Sequence, residues 1–143
     1  MQEARELSES YGVADRTLLT GYVPLREVPR YIACMDVCLI PLVNTTDCQR
    51  AFPIKLVEYM ACEKPVVSTP LAGVREAVGD RVLYARDSDE LVTRIVDLHR
   101  DPDHRRRMGS RGRSFVEQHY DWDQICRGFE DILLQASAKD SGT

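Results

Sequence analysis

From residue 17 onward, short β-branched runs alternate with amphipathic stretches of helical length, the pattern of a parallel α/β sheet. Strands are predicted at 17–22, 36–41, 65–69 and 82–85. Val37, Cys38, Leu39 and Ile40 are apolar at consecutive positions, as in a strand covered on both faces, and are expected to form a central strand.

The intervening stretches carry helical periodicity. Val28, Tyr31, Ile32 and Met35 recur every three to four residues and predict a crossover helix over 25–35. A second helix starts near Pro53, where proline suits the first helical position, and buries Leu56, Val57, Met60 and Ala61 before Lys64 and Pro65 end it. Asp87 with Glu90 has the form of a capping box for a helix over 88–100. Asp101 and Pro102 start another that runs to about 119, and Trp122, Ile125, Phe129, Ile132 and Leu133 mark a last amphipathic helix. Trp122 is expected as a core anchor, and residues 135–143 as a disordered tail after a domain spanning 1–134.

With right-handed crossovers, the loops that follow the strands share one edge of the sheet, the edge at which such folds bind ligands. They are residues 21–24, 42–52 and 70–73. The second of these is long for a βα connection, a length often associated with function. Gly73 there would let the backbone approach a phosphate, or serve as a plain helix entry.

Composition narrows the function classes. The 143 residues suit one domain, and 19 Lys and Arg against 23 Asp and Glu give a formal charge of −4, too mild and mixed for a nucleic-acid binder. The acidic start lacks a signal-peptide core and no apolar run is long enough to span a membrane, so a cytoplasmic location is expected. Cys34, Cys38, Cys48, Cys62 and Cys126 form no CxxC pair and are read as small core hydrophobes. His99, His104 and His119 lack metal-ligand spacing, so neither a metal nor a resident cofactor is expected. His104, Arg105, Arg106, Arg107, Arg111 and Arg113 read as a solvated face, with weak peripheral contact to anionic lipid as the minority reading.

The most informative stretch is residues 50–67. A helix beginning at Pro53, just beyond the carboxyl end of a strand, aims unpaired amides and a positive dipole end at the ligand crevice. Glu58 lies at the border of the buried arc and Lys55 on the exposed side. The carboxylate suits a ribose diol and the ammonium a diphosphate. The plainer alternative is an ordinary i, i+3 surface ion pair.

Leu18-Leu19-Thr20-Gly21-Tyr22-Val23, the run Val28 to Pro41, Pro53-Ile54-Lys55-Leu56-Val57-Glu58-Tyr59-Met60-Ala61 and Lys64-Pro65-Val66-Val67 follow one another in an order that resembles the donor-binding domain of GT-B-fold glycosyltransferases. The likeness is to family 4 of retaining enzymes, in a Pro-x-Lys-Leu-x-Glu-Tyr-Met-Ala variant. The fold it implies is α/β: an incomplete doubly wound parallel sheet, Rossmann-like and half of a GT-B fold, with C-terminal helices. The implied substrate is a nucleotide-diphosphate sugar. Glu58 matches the second glutamate of the family's Glu-x7-Glu motif and would bind the ribose hydroxyls. Gly21, Tyr22 and Val23 would line the base pocket, and Phe52, Pro53 and Ile54 would meet the donor sugar and diphosphate. The first glutamate of the motif falls on Arg50, whose planar fork suits a phosphate or a donor carboxylate.

The resemblance also implies an acceptor-binding domain and opening strands of the donor domain that this sequence does not contain. Chemistry in the family takes place between two domains, so catalysis is expected to need a separate acceptor domain. The terminal helix of the resembled fold reaches back to that domain, which would leave its apolar face exposed here. The other readings are a non-catalytic binding module derived from such an enzyme and a GT-B sugar-nucleotide epimerase. Assembly of cell-surface polysaccharides is the commonest use of the resembled family.

Overall fold

The structure, a computed structural model, describes residues 1–140, with side-chain surroundings to residue 137. The chain divides into two units, Met1–Tyr31 and a second from Ile32 onward.

The first unit opens with a helix that the sequence pattern did not predict, α1, Gln2–Ser10. Residues 17–22, expected as a strand, are extended but unpaired, and Leu18 and Tyr22 are among the most exposed apolar side chains. Alternation selects a face; a strand also needs a neighbour to bond its backbone, and none is present among the described residues. A 3-10 turn, Leu25–Glu27, leads into α2, Val28–Ala33, shorter than the predicted helix.

The second unit holds the sheet. Its elements run β1 (Cys38–Ile40), α3 (Thr46–Gln49), α4 (Ile54–Ala61), β2 (Val66–Ser68), α5 (Ala72–Val78), β3 (Leu83–Tyr84), α6 (Ser88–Arg100), α7 (Pro102–His119) and α8 (Trp122–Asp140). All pairings are parallel, in the order β1-β2-β3, with Leu39 opposite Val67 and Val67 opposite Leu83. β2 is the central strand and is buried throughout, whereas β1, expected at the centre, lies at an edge of the described sheet with Leu39 half-buried. Its continuous apolar run reports cover on two faces and carries no information on a second neighbour.

The helix starts predicted at Asp87 and Asp101 rest on side-chain caps. Asp87 accepts from the Glu90 amide at 2.8 Å, and the Glu90 carboxylate reaches back to the Arg86 amide at 2.9 Å. Asp101 accepts from the His104 amide at 2.8 Å, a bond that holds its carboxyl below the usual range. Residues 135–140, expected in the tail, continue α8, consistent with the good helix formers Leu134, Gln135, Ala136 and Ala138. The rest of the expected tail, 141–143, lies outside the described residues.

Leu56 and Met60 of α4, Val66 and Val67 of β2, Val74 and Val78 of α5 and Leu98 of α6 are fully buried in the core. Trp122 is not a core anchor: it is 75% exposed, and Phe129, Ile132 and Leu133 beside it are exposed too. The apolar stripe of α8 therefore forms a helix face that nothing among the described residues covers. No helix among them is long and apolar enough to cross a membrane.

The tightest contact joins α4 to α7. A Cβ built on Gly109 would stand 2.1 Å from the Glu63 carbonyl oxygen, and one on Gly112 would stand 3.4 Å from Met60 Cγ. Glycine on α7 thus lets its backbone meet the Glu63 backbone at one point and the Met60 side chain at the next. At that point α4 ends in a Schellman turn, in which the Lys64 amide bonds the Tyr59 carbonyl at 3.0 Å. The turn puts Glu63 at φ 56°, a left-handed conformation that normally falls to glycine. Most of the basic cluster of α7 stays exposed, as a solvated face would, while three of its arginines also reach other elements. Arg105 donates to the Leu98 and His99 carbonyls, Arg113 to the Ala61 carbonyl and Glu117, and Arg111 faces Asp80.

Of the five cysteines, only Cys38 is buried; Cys48 and Cys62 are intermediate and Cys34 and Cys126 exposed, so the reading of all five as core hydrophobes is corrected. Burial pushes the Cys38 thiol up to about 11, with Lys64 opposing the shift.

These features have measurable consequences. Gly109→Ala should lower unfolding stability in a denaturant titration by about 3 kcal/mol, because the added methyl meets backbone rather than a flexible side chain. Glu63→Gly should raise stability by about 1 kcal/mol, by removing the left-handed strain. In mass spectrometry after iodoacetamide treatment at neutral pH, Cys34 and Cys126 should be alkylated first and Cys38 last, because the thiolate is the nucleophile and Cys38 is both buried and protonated. Equal labelling of Cys38 and Cys34 would contradict this arrangement.

Candidate functional site

The carboxyl ends of the strands open onto the long loop after β1, the start of α4 and the start of α5. The loop is more ordered than its length suggests. Thr45 caps α3, its hydroxyl accepting from the Cys48 amide at 3.3 Å, and the Ala51 amide then bonds the Cys48 carbonyl at 3.0 Å. The Thr69 hydroxyl, at the end of β2, donates to the Leu42 carbonyl at 2.8 Å and fixes the start of the loop.

The far end of the loop is held against α5. The Gln49 side-chain oxygen accepts from the Ala72 amide at 2.8 Å, while its amide group donates to the Asn44 side chain. A Cβ on Gly73 would stand 2.8 Å from the Ala51 carbonyl oxygen and 3.2 Å from the Arg50 carbonyl carbon. Gly73 thus supports a close approach of backbone to backbone, a role distinct from the phosphate contact and the plain helix entry that the sequence suggested.

Phe52, Pro53 and Ile54 follow directly. The Phe52 ring stacks on Tyr120 at 5.5 Å between centroids, with planes 11° apart, and Phe115 closes edge-on against Tyr120 at 5.9 Å. Pro53 stands one position before the first helical residue, and the Leu56 amide bonds its carbonyl at 2.9 Å. The amides of Ile54 and Lys55 precede the first intrahelical bond, so they are presented with the positive end of the helix dipole.

Lys55 and Glu58 form an ion pair at 2.8 Å, with side chains 55% and 26% exposed. This is the i, i+3 pair of the plainer sequence reading, and it leaves Glu58 half-buried at the rim and Lys55 outside, as the helical wheel placed them. Arg50 contrasts with it: it is exposed and its guanidinium takes no partner among the described residues. Tyr59, the residue after Glu58, has its hydroxyl pKa shifted up, chiefly by burial.

The structure thus brings Arg50, Phe52, Pro53, Ile54, Lys55 and Glu58 onto one loop-to-helix segment. Gly21, Tyr22 and Val23 belong to the first unit, where Gly21 takes φ 68° and Tyr22 is 91% exposed. Sequence reasoning did not find Gln49, Tyr120 or the packing role of Gly73. Gln49 lies 23 positions from its partner, and no local pattern signals such a bond. Tyr120 follows the apolar positions Phe115 and Val116 of α7 at helical spacing, a signal that was available. No three His, Cys, Asp or Glu side chains gather as a metal site among the described residues.

Comparisons with known proteins agree on one relationship. The family described as glycosyl transferases group 1 matches residues 1–101. A Salmonella typhimurium glycosyltransferase named for colanic acid biosynthesis, WcaL, is 30% identical over 135 residues, covering 90% of this chain and 33% of its own length. The GDP-mannose-dependent alpha-(1-6)-phosphatidylinositol monomannoside mannosyltransferase of Mycobacterium tuberculosis is 28% identical over 140 residues, covering 93% of this chain and 36% of its own. Among solved structures, sucrose-phosphate synthase from Thermosynechococcus elongatus superposes with a TM-score of 0.85 at 23% identity, over 96% of this chain and 34% of that one. The chain spans about a third of the length of these relatives. The parallel α/β sheet, the family match over most of the chain and these likenesses lead to one conclusion: the chain belongs to the glycosyl transferases group 1 family and has the fold of a GT-B glycosyltransferase domain.

Proposed function

We infer that the chain binds a nucleotide-diphosphate sugar as the donor half of a retaining family 4 glycosyltransferase, which transfers a hexosyl unit when an acceptor-binding domain completes the cleft. The observation that carries this reading is the start of α4. First-turn amides, the Lys55 ammonium, the half-buried Glu58 carboxylate and the Arg50 guanidinium, unpaired among the described residues, all stand within one short segment at the carboxyl edge of a parallel sheet. A diphosphate would take the amides and the cations. Lys55 would then exchange Glu58 for phosphate oxygens, which frees the carboxylate to accept both hydroxyls of a ribose.

The rest of the reading follows from the same chemistry. The Phe52 backbone would face the sugar. The donor is a substrate, and charge neutralisation by the protein's own cations and amides leaves no required role for a metal. Five unpaired cysteines fit a reducing compartment, which supports the cytoplasm as the place of action. Assembly of a surface polysaccharide is the corresponding pathway class.

Calorimetric titration with UDP, GDP and ADP and their sugars tests the reading. One nucleotide should bind saturably, and Glu58→Ala should weaken it at least ~10-fold, the cost of removing a charged hydrogen-bond acceptor. A folded chain that binds none of them, or a Glu58→Ala variant that binds as tightly as the unaltered chain, would overturn it.

A further inference from the structure

We propose that Gln49 is a positioning residue for this site: its side-chain amide ties the loop after β1 to the first turn of α5 and so holds in place Arg50, a cation without a partner among the described residues. The proposal rests on the nucleotide-sugar reading for what Arg50 meets, and on the structure itself for the tie.

Three observations converge on it. Gln49 uses both ends of its amide, accepting from the Ala72 amide at 2.8 Å and donating to the Asn44 side chain. One side chain thereby closes the loop on itself and fastens it to a separate element. Immediately beside this bond, the Arg50 and Ala51 backbone lies against Gly73, with no room for a Cβ at that position. The backbone of residue 50 is therefore pinned from the Gln49 side and from the Gly73 side. Meanwhile the Arg50 guanidinium is exposed and unpaired among the described residues, whereas Lys55, the other cation of the segment, is neutralised by Glu58 at 2.8 Å.

A pinned backbone under an unpaired guanidinium is the arrangement expected of preorganisation. An arginine that binds an oxyanion loses less conformational freedom when its Cα is already fixed, so the effect appears as affinity without any new contact to the ligand. Gln49 itself need not touch the donor. Its amide is committed at both ends, and it acts through Arg50.

The test uses the full chain with Gln49→Ala, Gln49→Glu, Arg50→Ala and the double variant Gln49→Ala with Arg50→Ala. Amide hydrogen exchange reads the tie directly. Gln49→Ala should speed exchange at Ala72 by roughly three- to tenfold, the equivalent of one net hydrogen bond. Gln49→Glu keeps an oxygen for the Ala72 amide and should retain most of the protection there. Unchanged exchange at Ala72 in Gln49→Ala overturns the proposal. Calorimetry with UDP, GDP or ADP sugars reads the action through Arg50. Gln49→Ala should weaken the bound sugar nucleotide several-fold, and the same change should have no further effect in the Arg50→Ala background. Additive losses would show that Gln49 works independently of Arg50 and would overturn the positioning role. If the unaltered chain binds no sugar nucleotide, the donor reading fails on its own. The same double-variant comparison with inorganic pyrophosphate then decides the role of Gln49: loss confined to the background that retains Arg50 supports it, and additive loss or no loss overturns it.

Discussion

The close approach of α7 to the end of α4 is the constraint on which the remaining geometry depends. Gly109 has no side chain where the Glu63 carbonyl comes closest, and Gly112 faces Met60, so α7 lies directly on the C-terminal half of α4. The Arg113 guanidinium bonds the Ala61 carbonyl at 3.1 Å, one of the orphan acceptors at a helix end. With its C-terminus fixed by backbone contact and its apolar face filled by Leu56 and Met60, α4 is held as a rigid rod. A rod held at one end fixes the other, and the other end carries Pro53 and Lys55. The strain at Glu63 is the visible cost of this arrangement: a left-handed residue is tolerated at the junction because the chain must turn sharply there to enter β2.

α7 also acts on this segment at its far end. The C-terminal turn of α7 supplies Phe115 and leads to Tyr120, whose ring stacks on Phe52 just before α4 begins. α7 therefore braces the segment 52–63 at both ends, once through glycine and once through aromatic rings. Such bracing explains why an element that contributes no expected ligand contact is packed so closely. Of the arginines of α7, Arg106, Arg107, Arg111 and Arg113 keep the exposure of a solvated face, and Arg105 turns inward. Arg105 satisfies two carbonyls at the end of α6 at 2.6 and 2.8 Å, so it fastens one helix to the next. Charge on a helix face is ambiguous in a sequence because some arginines donate to backbone carbonyls of other elements, Arg105 to His99 close by and Arg113 to Ala61 far along the chain.

What the sequence disclosed and what it concealed divide along that line of range. The helices begun by Asp87 and Asp101 were legible because a cap and its amide lie three residues apart. The buried arc of α4 and the placement of Lys55 and Glu58 were legible because helical periodicity is local. The unpaired segment 17–22 was misread as a strand, since pairing depends on a neighbour that local alternation cannot supply. Trp122 was misread for a similar reason: an apolar stripe states that a face should be covered and leaves open by what. The tie from Gln49 to Ala72 and the fit of Gly73 against Arg50 depend on two loops meeting after the sheet has formed, and no spacing rule anticipates them.

These constraints act in a definite order. Packing of α4 against α7 sets the position of the helix start, and the Phe52 stack and the Gln49 tie then set the approach of the loop to it. Only the side chains at the tip remain adjustable: Lys55, which can exchange its carboxylate partner, and Arg50, which has none among the described residues. Electrostatics is therefore the variable part of the site and packing the fixed part. A buried backbone cannot change its contacts without leaving polar groups unsatisfied, whereas an exposed ion pair exchanges partners at little cost. Changes at the few exposed charges of the loop tip therefore alter the electrostatics of this edge without disturbing the frame beneath it.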